Sequence, residues 1–158
     1  MKAMVVYQSR YGNCEQIAQS ILKGLADAGV DATVTDVKSA AAPGAAVDLL
    51  VLGSATRGGR GMGKTRKYAE DIQPGSGGKL RFASFGTGML SLYAKEPEKT
   101  AAVNLDEILS VKGLERASKP LVAKVLKFKG PLAEGEVENA YEWGKELGSA
   151  LAVPALLT

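Results

Sequence analysis

The amino-acid sequence predicts an α/β protein, a doubly wound sheet of five parallel strands with helices on both faces. Three observations predict it. Five short runs rich in β-branched and apolar residues alternate with about five stretches of helical periodicity along the 158 residues. One of those runs, 47–54 (VDLLVLGS), is apolar without polar alternation, the mark of a strand buried on both faces. Glycine-rich stretches follow the strand candidates, where a doubly wound sheet keeps its ligand loops. The length suits one domain spanning residues 1–158 better than two.

Residues 2–8 (KAMVVYQ) form the first strand, and the turn Ser9-Arg10-Tyr11-Gly12-Asn13 hands it to a helix. In that helix Ile17, Ile21, Leu22, Leu25 and Ala28 recur at separations of three and four, which commits one face to a core, and Gly29 stops it. Residues 32–37 (ATVTDV) are the second strand, and the alanine-rich stretch 39–46, broken by Pro43 and Gly44, holds at most a short helix. The third strand, 47–54, runs into a Gly- and Arg-rich loop over 55–63, and a helix is predicted over 64–72. Residues 74–78 (PGSGG) break the chain before the fourth strand, 79–84, which enters a second glycine-rich turn over 85–88. A helix with Ala102, Leu105, Ile108 and Leu109 on one side ends at Gly113, and 119–126 (KPLVAKVL) is the fifth strand. The last helix covers 134–151, with Val137, Tyr141, Gly144, Leu147 and Leu151 inward and the sole tryptophan, Trp143, read as core.

Composition removes whole classes of chemistry. No histidine is present, which excludes hydrolases built on imidazole and the usual zinc sites, and the single cysteine cannot form an internal disulfide. No apolar run approaches the roughly 18–20 residues of a membrane helix, and the apolar start is too short for a signal-peptide core, so membrane insertion is not expected and a cytoplasmic location is. Net charge is +3 from 20 basic and 17 acidic residues, too mild to argue for nucleic acid. The terminal run 152–158 (AVPALLT) is apolar enough to be a tail that would pack on the domain or on a second copy, which leaves monomer and dimer both open.

Ligands of such sheets bind beyond the carboxyl ends of the strands, near the switch in strand order, so the loops after the first, third and fourth strands carry the candidate site. The first reads Ser9, Arg10, Tyr11, Gly12, Asn13, Cys14 and sits at a helix N-terminus, where free amides and the helix dipole favour a phosphate. Ser9 offers a hydroxyl, Gly12 allows close backbone approach, and Asn13 either caps the helix or donates its amide to an anion.

This loop resembles the Ser/Thr-x-Thr-Gly-Asn-Thr phosphate loop of flavodoxins, in variants of which tyrosine precedes the glycine. Gly53-Ser54-Ala55-Thr56-Arg57-Gly58-Gly59 is similar to the Gly-Ser-Pro-Thr-x-x-Gly segment after the family's third strand, and 82–88 has the place and glycine content of its third flavin loop. The resemblance spans nearly the whole chain in the expected order. It implies a flavodoxin-like fold with strand order 2-1-3-4-5, one noncovalent FMN, and an electron-transfer role. Residue by residue, it implies that Ser9, Tyr11, Gly12, Asn13 and Cys14 hold the phosphate, with Arg10 nearby. Ser54, Ala55, Thr56, Arg57, Gly58 and Gly59 would line one side of the flavin ring, and Phe85, Gly86, Thr87 and Gly88 the other. In the family a middle-loop carbonyl can turn toward flavin N5 on reduction, a movement that Gly58-Gly59 would permit because glycine tolerates positive φ.

Three departures from the family pattern shape the expectations. Cys14 stands where threonine is usual, so it is either a small packed residue or a redox thiol. No loop contains tryptophan, which leaves ring stacking to Tyr93, to Phe85 or to neither; Tyr93 reads equally as a half-buried loop aromatic. From Arg57 to Lys67 there are five basic residues and no acid, where flavodoxins are usually acidic. Positive charge there would stabilise a reduced, anionic flavin and would suit an acidic redox partner or an anionic electron donor such as a nicotinamide dinucleotide.

Other readings remain open at this point. The run Gly58-Gly59-Arg60-Gly61-Met62-Gly63-Lys64-Thr65 fits the nucleotide-binding pattern Gly-x4-Gly-Lys-Thr, with Lys64 on terminal phosphates and Thr65 on magnesium. Its first glycine stands four residues beyond the strand, and no magnesium-binding aspartate ends the following strand. A flavodoxin-like oxidoreductase, such as a quinone reductase or protoporphyrinogen oxidase, and an interaction module without flavin complete the alternatives. Short loops and the absence of an evident acid or base favour a carrier.

Overall fold

The computed structural model describes residues 1–74 and 80–152. In chain order its elements are β1 (Lys2–Gln8), α1 (Asn13–Asp27), β2 (Asp31–Asp36), β3 (Leu49–Arg57), β4 (Arg60–Gly61), α2 (Gly63–Glu70), β5 (Arg81–Met89), α3 (Leu90–Lys95), α4 (Ala101–Val111), β6 (Glu115–Arg116), β7 (Leu121–Val125) and α5 (Glu136–Ala152). The segment 75–79, with most of the predicted Gly/Ser break and the start of the fourth predicted strand, lies outside the described residues, as does 153–158.

β1 pairs in parallel with β2 on one side and β3 on the other, β3 continues to β5, and β5 to β6 and β7. β6 lies against the start of β5 at Arg81–Phe82 and β7 against its end at Phe85–Met89, so the two share one edge position. With that position counted once, the order of the long strands is the expected 2-1-3-4-5. The all-parallel expectation needs one correction. β4 runs antiparallel to β3, closing a hairpin in which Thr56 opposes Gly61 and Arg57 opposes Arg60.

Period-two alternation divides the sheet's side chains between two cores. Ala3, Val5, Leu49, Val51, Ala83 and Phe85 join the core under α1 and α5, which also holds Cys14, Ile17, Ile21, Leu25 and Leu147. Val6, Leu50, Leu52 and Phe82 face the other core with Ala69, Leu105 and Leu109 from α2 and α4. The apolar run of the third strand is thus buried on both faces. Trp143 packs against the first core and donates its indole N–H to the Lys119 carbonyl at 3.2 Å. Gly24 and Gly144 let α1 and α5 touch backbone to backbone; a methyl at Gly144 would stand 3.0 Å from the Ile21 Cα.

Strand limits moved most at the carboxyl end of the sheet. The predicted turn over 85–88 is strand, because β3 and β7 both offer β5 a ladder there. The fifth strand is shorter than expected, and α3, which the sequence reading did not foresee, follows β5 directly. Beyond β2 a single 3-10 turn at Val37–Ser39, stabilised by Asp36 accepting from the Lys38 amide at 2.9 Å, ends at the first residue of the stretch 39–46, and 40–46 forms no helix.

Candidate functional site

The carboxyl ends of β1, β3, β5 and β7 open into one cleft of about 730 Å³, within the size range of small-molecule sites. β1 ends at Gln8, and Gly12, at φ +90, turns the chain into α1. A residue with a Cβ rarely adopts that conformation. The Gly12 amide donates to Ser9 Oγ at 3.0 Å, so the Ser9 hydroxyl keeps its own proton to donate outward. No side chain caps α1, which leaves the amides of Asn13, Cys14 and Glu15 without intrahelical acceptors beside the cleft.

Asn13 neither caps the helix nor points at that cradle. Its side-chain amide donates to the Lys129 carbonyl at 3.1 Å, tying the first loop to the chain beyond β7. Cys14 is fully buried in the first core, and burial pushes its thiol far above the ordinary range. The side chain is therefore a packed, protonated thiol, and only the backbone of this residue offers a donor to a ligand. Burial and the neighbouring Glu15 likewise raise Tyr7.

The second wall comes from β3 and its hairpin. Ala55, Thr56, Arg57, Gly58 and Gly59 line the cleft. Gly58 and Gly59, at φ +62 and +80, form the two-residue turn whose twist matches the flanking strands. Ser54 does not reach the cleft. It is buried, with Oγ donating to the Ala55 carbonyl at 2.7 Å and accepting from the Met62 amide at 2.9 Å, and so anchors the hairpin to the start of α2. Thr56 Oγ1 accepts from the Ala101 amide at 2.9 Å and fixes the wall to α4.

The third wall uses Thr87 and Gly88 at the end of β5, with Tyr93 from α3. Phe85 and Gly86 must be removed from the candidate list. Side chains alternate along β5, and Phe85 points into the first core at 0% exposure with its ring over Gly53. Gly86 is packed so closely that a methyl there would lie 2.8 Å from the Ser54 carbonyl oxygen and 2.9 Å from the Ala102 nitrogen.

Phe128 is a lining residue that sequence reasoning missed. It lies beyond β7, is 63% exposed, and meets Tyr11 edge to face at 5.6 Å between ring centres. Arg10 sits over both rings, at 5.3 and 5.8 Å. An exposed aromatic between Lys127 and Lys129 was the available signal. Met62, Met89 and Leu92 add apolar surface. The electrostatics are positive: Arg10, Arg57, Lys95 and Lys99 line the cleft, and Lys124 lies 5.4 Å from the Tyr93 ring centre. Glu96, the one carboxylate lining it among the described residues, is held by Lys99 at 3.0 Å.

The nucleotide-loop alternative is overturned. Gly58 and Gly59 form the tight turn of the hairpin, and the Thr65 hydroxyl is fully buried against Gln8 Oε1 at 2.7 Å, where no magnesium ion can approach it.

Comparison with known proteins bears on the same cleft. The family model described as flavodoxin matches residues 5–144. The chain belongs to the flavodoxin family. Among solved structures it is similar to a flavodoxin from the domain Archaea, at 19% identity and a TM-score of 0.76, covering 97% of this chain and 100% of that one. Flavodoxin 2 from Bacillus cereus matches at 24% identity and a TM-score of 0.69, covering 96% and 98%. The flavodiiron core from Synechocystis matches at 19% identity and a TM-score of 0.73; there the match covers 96% of this chain but only 36% of the larger one. Flavodoxins are FMN-binding flavoproteins of electron transport that work with redox partner proteins, and FMN is the cofactor of this family. The residues present fit it: an uncapped helix start and a free hydroxyl for a dianionic phosphate, and Tyr11, Tyr93 and Phe128 beside an apolar cleft for a flat ring system. Among the described residues no helix is long and apolar enough to cross a membrane.

Proposed function

We propose that this chain is a single-domain cytoplasmic electron carrier whose positively charged rim receives an acidic redox partner. The observation that carries this reading is the cleft itself. It combines the unsatisfied first turn of α1 with a lining of four basic residues whose one carboxylate among the described residues, Glu96, pairs with Lys99. The amides of Asn13, Cys14 and Glu15 and the hydroxyl of Ser9 would hold the FMN phosphate. Backbone and side chains of Thr56, Arg57, Gly58, Gly59, Thr87, Gly88 and Tyr93 would hold the ring. Bound FMN supplies the redox chemistry; the chain orients it and sets its potential.

Several features favour a carrier over an enzyme. Among the described residues the lining offers neither histidine nor a free carboxylate to move a proton. Arg10, Arg57, Lys95 and Lys99 stand around the opening, which suits steering of an acidic protein. A solitary buried thiol suits a reducing compartment.

The test is purification, an absorbance spectrum, and a redox titration with added FMN. A yellow protein with one FMN per chain is expected, together with electron exchange that quickens at low salt with an acidic partner. Colourless protein that ignores FMN in calorimetry refutes the reading, and salt-independent exchange refutes the acidic partner alone.

A further inference from the structure

The basic segment after β3 has no role as a nucleotide loop, yet its geometry is that of an anion site. Arg57 and Arg60 are register partners across the β3–β4 hairpin, so their exposed side chains leave the same face directly opposite one another. Like charges so placed repel, and none of the ion pairs among the described residues involves either arginine. Arg66 folds back from α2 toward the same place. Its Nε donates to the Gly61 carbonyl at 2.9 Å, and its Nη2 lies 4.0 Å from where a Cβ on Gly63 would stand.

The start of α2 completes the arrangement. Met62 provides no side-chain cap, and its carbonyl accepts from Thr65 and Arg66, which leaves the amides of Gly63 and Lys64 without intrahelical acceptors. Between hairpin and helix lies a hollow of about 330 Å³, lined by the three arginines, three glycines and Met62, with no acidic residue among the described residues. Arg57, Gly58 and Met62 line both this hollow and the larger cleft, so the two are contiguous.

We propose that this hollow binds the phosphate or diphosphate group of a small ligand that reaches the edge of the FMN cleft. The proposal rests on the flavodoxin reading only for what occupies the neighbouring cleft. Guanidinium forks match phosphate oxygens in pairs, and a dianion relieves the Arg57–Arg60 repulsion that the protein alone leaves uncompensated.

The experiment is calorimetry on FMN-loaded protein at constant chloride ionic strength, titrated separately with inorganic phosphate, pyrophosphate and ADP. FMN occupancy is read from absorbance in the same sample, so failure of the flavin reading is seen independently of failure here. Saturable binding of one pyrophosphate per chain is expected, weakened about tenfold or more in Arg60→Glu and by a smaller factor in Arg60→Ala, with FMN occupancy unchanged. Lys23→Glu, the same charge change on α1, should leave binding within about twofold. ADP binding more tightly than pyrophosphate supports a nucleotide as the source, and equal or weaker binding supports a free phosphate or diphosphate. No saturable binding to FMN-loaded protein, or equal affinity in Arg60→Glu and wild type, overturns the proposal.

Discussion

Gly53 and Phe85 are register partners on β3 and β5, and the ring of Phe85 occupies the space that a side chain at position 53 would need. A Cβ built on Gly53 falls closer than 3.0 Å to the ring carbons, a separation that real Cβ atoms do not tolerate. The ring is fully buried in the core under α1 and α5, where interior packing leaves no space to retreat. Gly53→Ala should therefore cost about 1–3 kcal/mol by overpacking, roughly 2–10 °C in Tm for a chain of this size. Phe85→Leu should cost about 1–2 kcal/mol through lost contacts and a partial cavity. In the double variant the new methyl enters space the ring has vacated, so the combined loss should fall short of the sum by about 1 kcal/mol or more. Urea unfolding of the four proteins at 25 °C measures this cycle, and FMN titration of the Phe85→Leu protein accompanies it. FMN affinity should stay within about threefold of wild type, since the ring does not reach the cleft. Strict additivity, or a tenfold loss of FMN affinity in Phe85→Leu, would refute the placement of Phe85 in the core and restore it to the flavin.

Three further outcomes are expected. Cys14, buried and held protonated, should resist a thiol-specific reagent at pH 8 in the folded protein and react fully in urea; rapid labelling of the native state would contradict its burial. Burial raises Tyr68 from its ordinary 10.0 to about 12, while its hydroxyl donates to the Ala41 carbonyl at 2.8 Å. Because the unfolded chain releases that proton first, stability should fall as pH rises from about 10 to about 12, and Tyr68→Phe should flatten that part of the profile. Lys64→Ala should keep its FMN, and neither it nor wild type should hydrolyse ATP with magnesium; magnesium-dependent turnover lost in the variant would reinstate the nucleotide loop.

The first helix and the buried third strand were legible because each carries a period of its own. Ile17, Ile21 and Leu25 mark a face at helical spacing, and the unbroken apolar run Leu49–Leu52 can only be satisfied between two layers. The turn into the first helix was legible for a related reason. A serine and a glycine between a strand and a helix describe a local turn, and local turns are encoded locally. Arg57 to Lys67 was legible as charge but ambiguous as structure, since the same glycines satisfy a nucleotide loop and a type I′ hairpin.

Local residue patterns carried the alternation of strands and helices, the faces they bury, and the turn at Gly12 into the first helix. All of these depend on residues near one another in the chain. Tertiary structure alone decided that residues 85–88 are strand and that Phe85 lies beneath the cleft, because partners on β3 and β7, distant in sequence, extend β5 and so set which way each side chain points. It likewise brought Phe128 to Tyr11 and the Lys129 carbonyl to Asn13. Such meetings depend on how the sheet is wound, and no short stretch of residues carries that information.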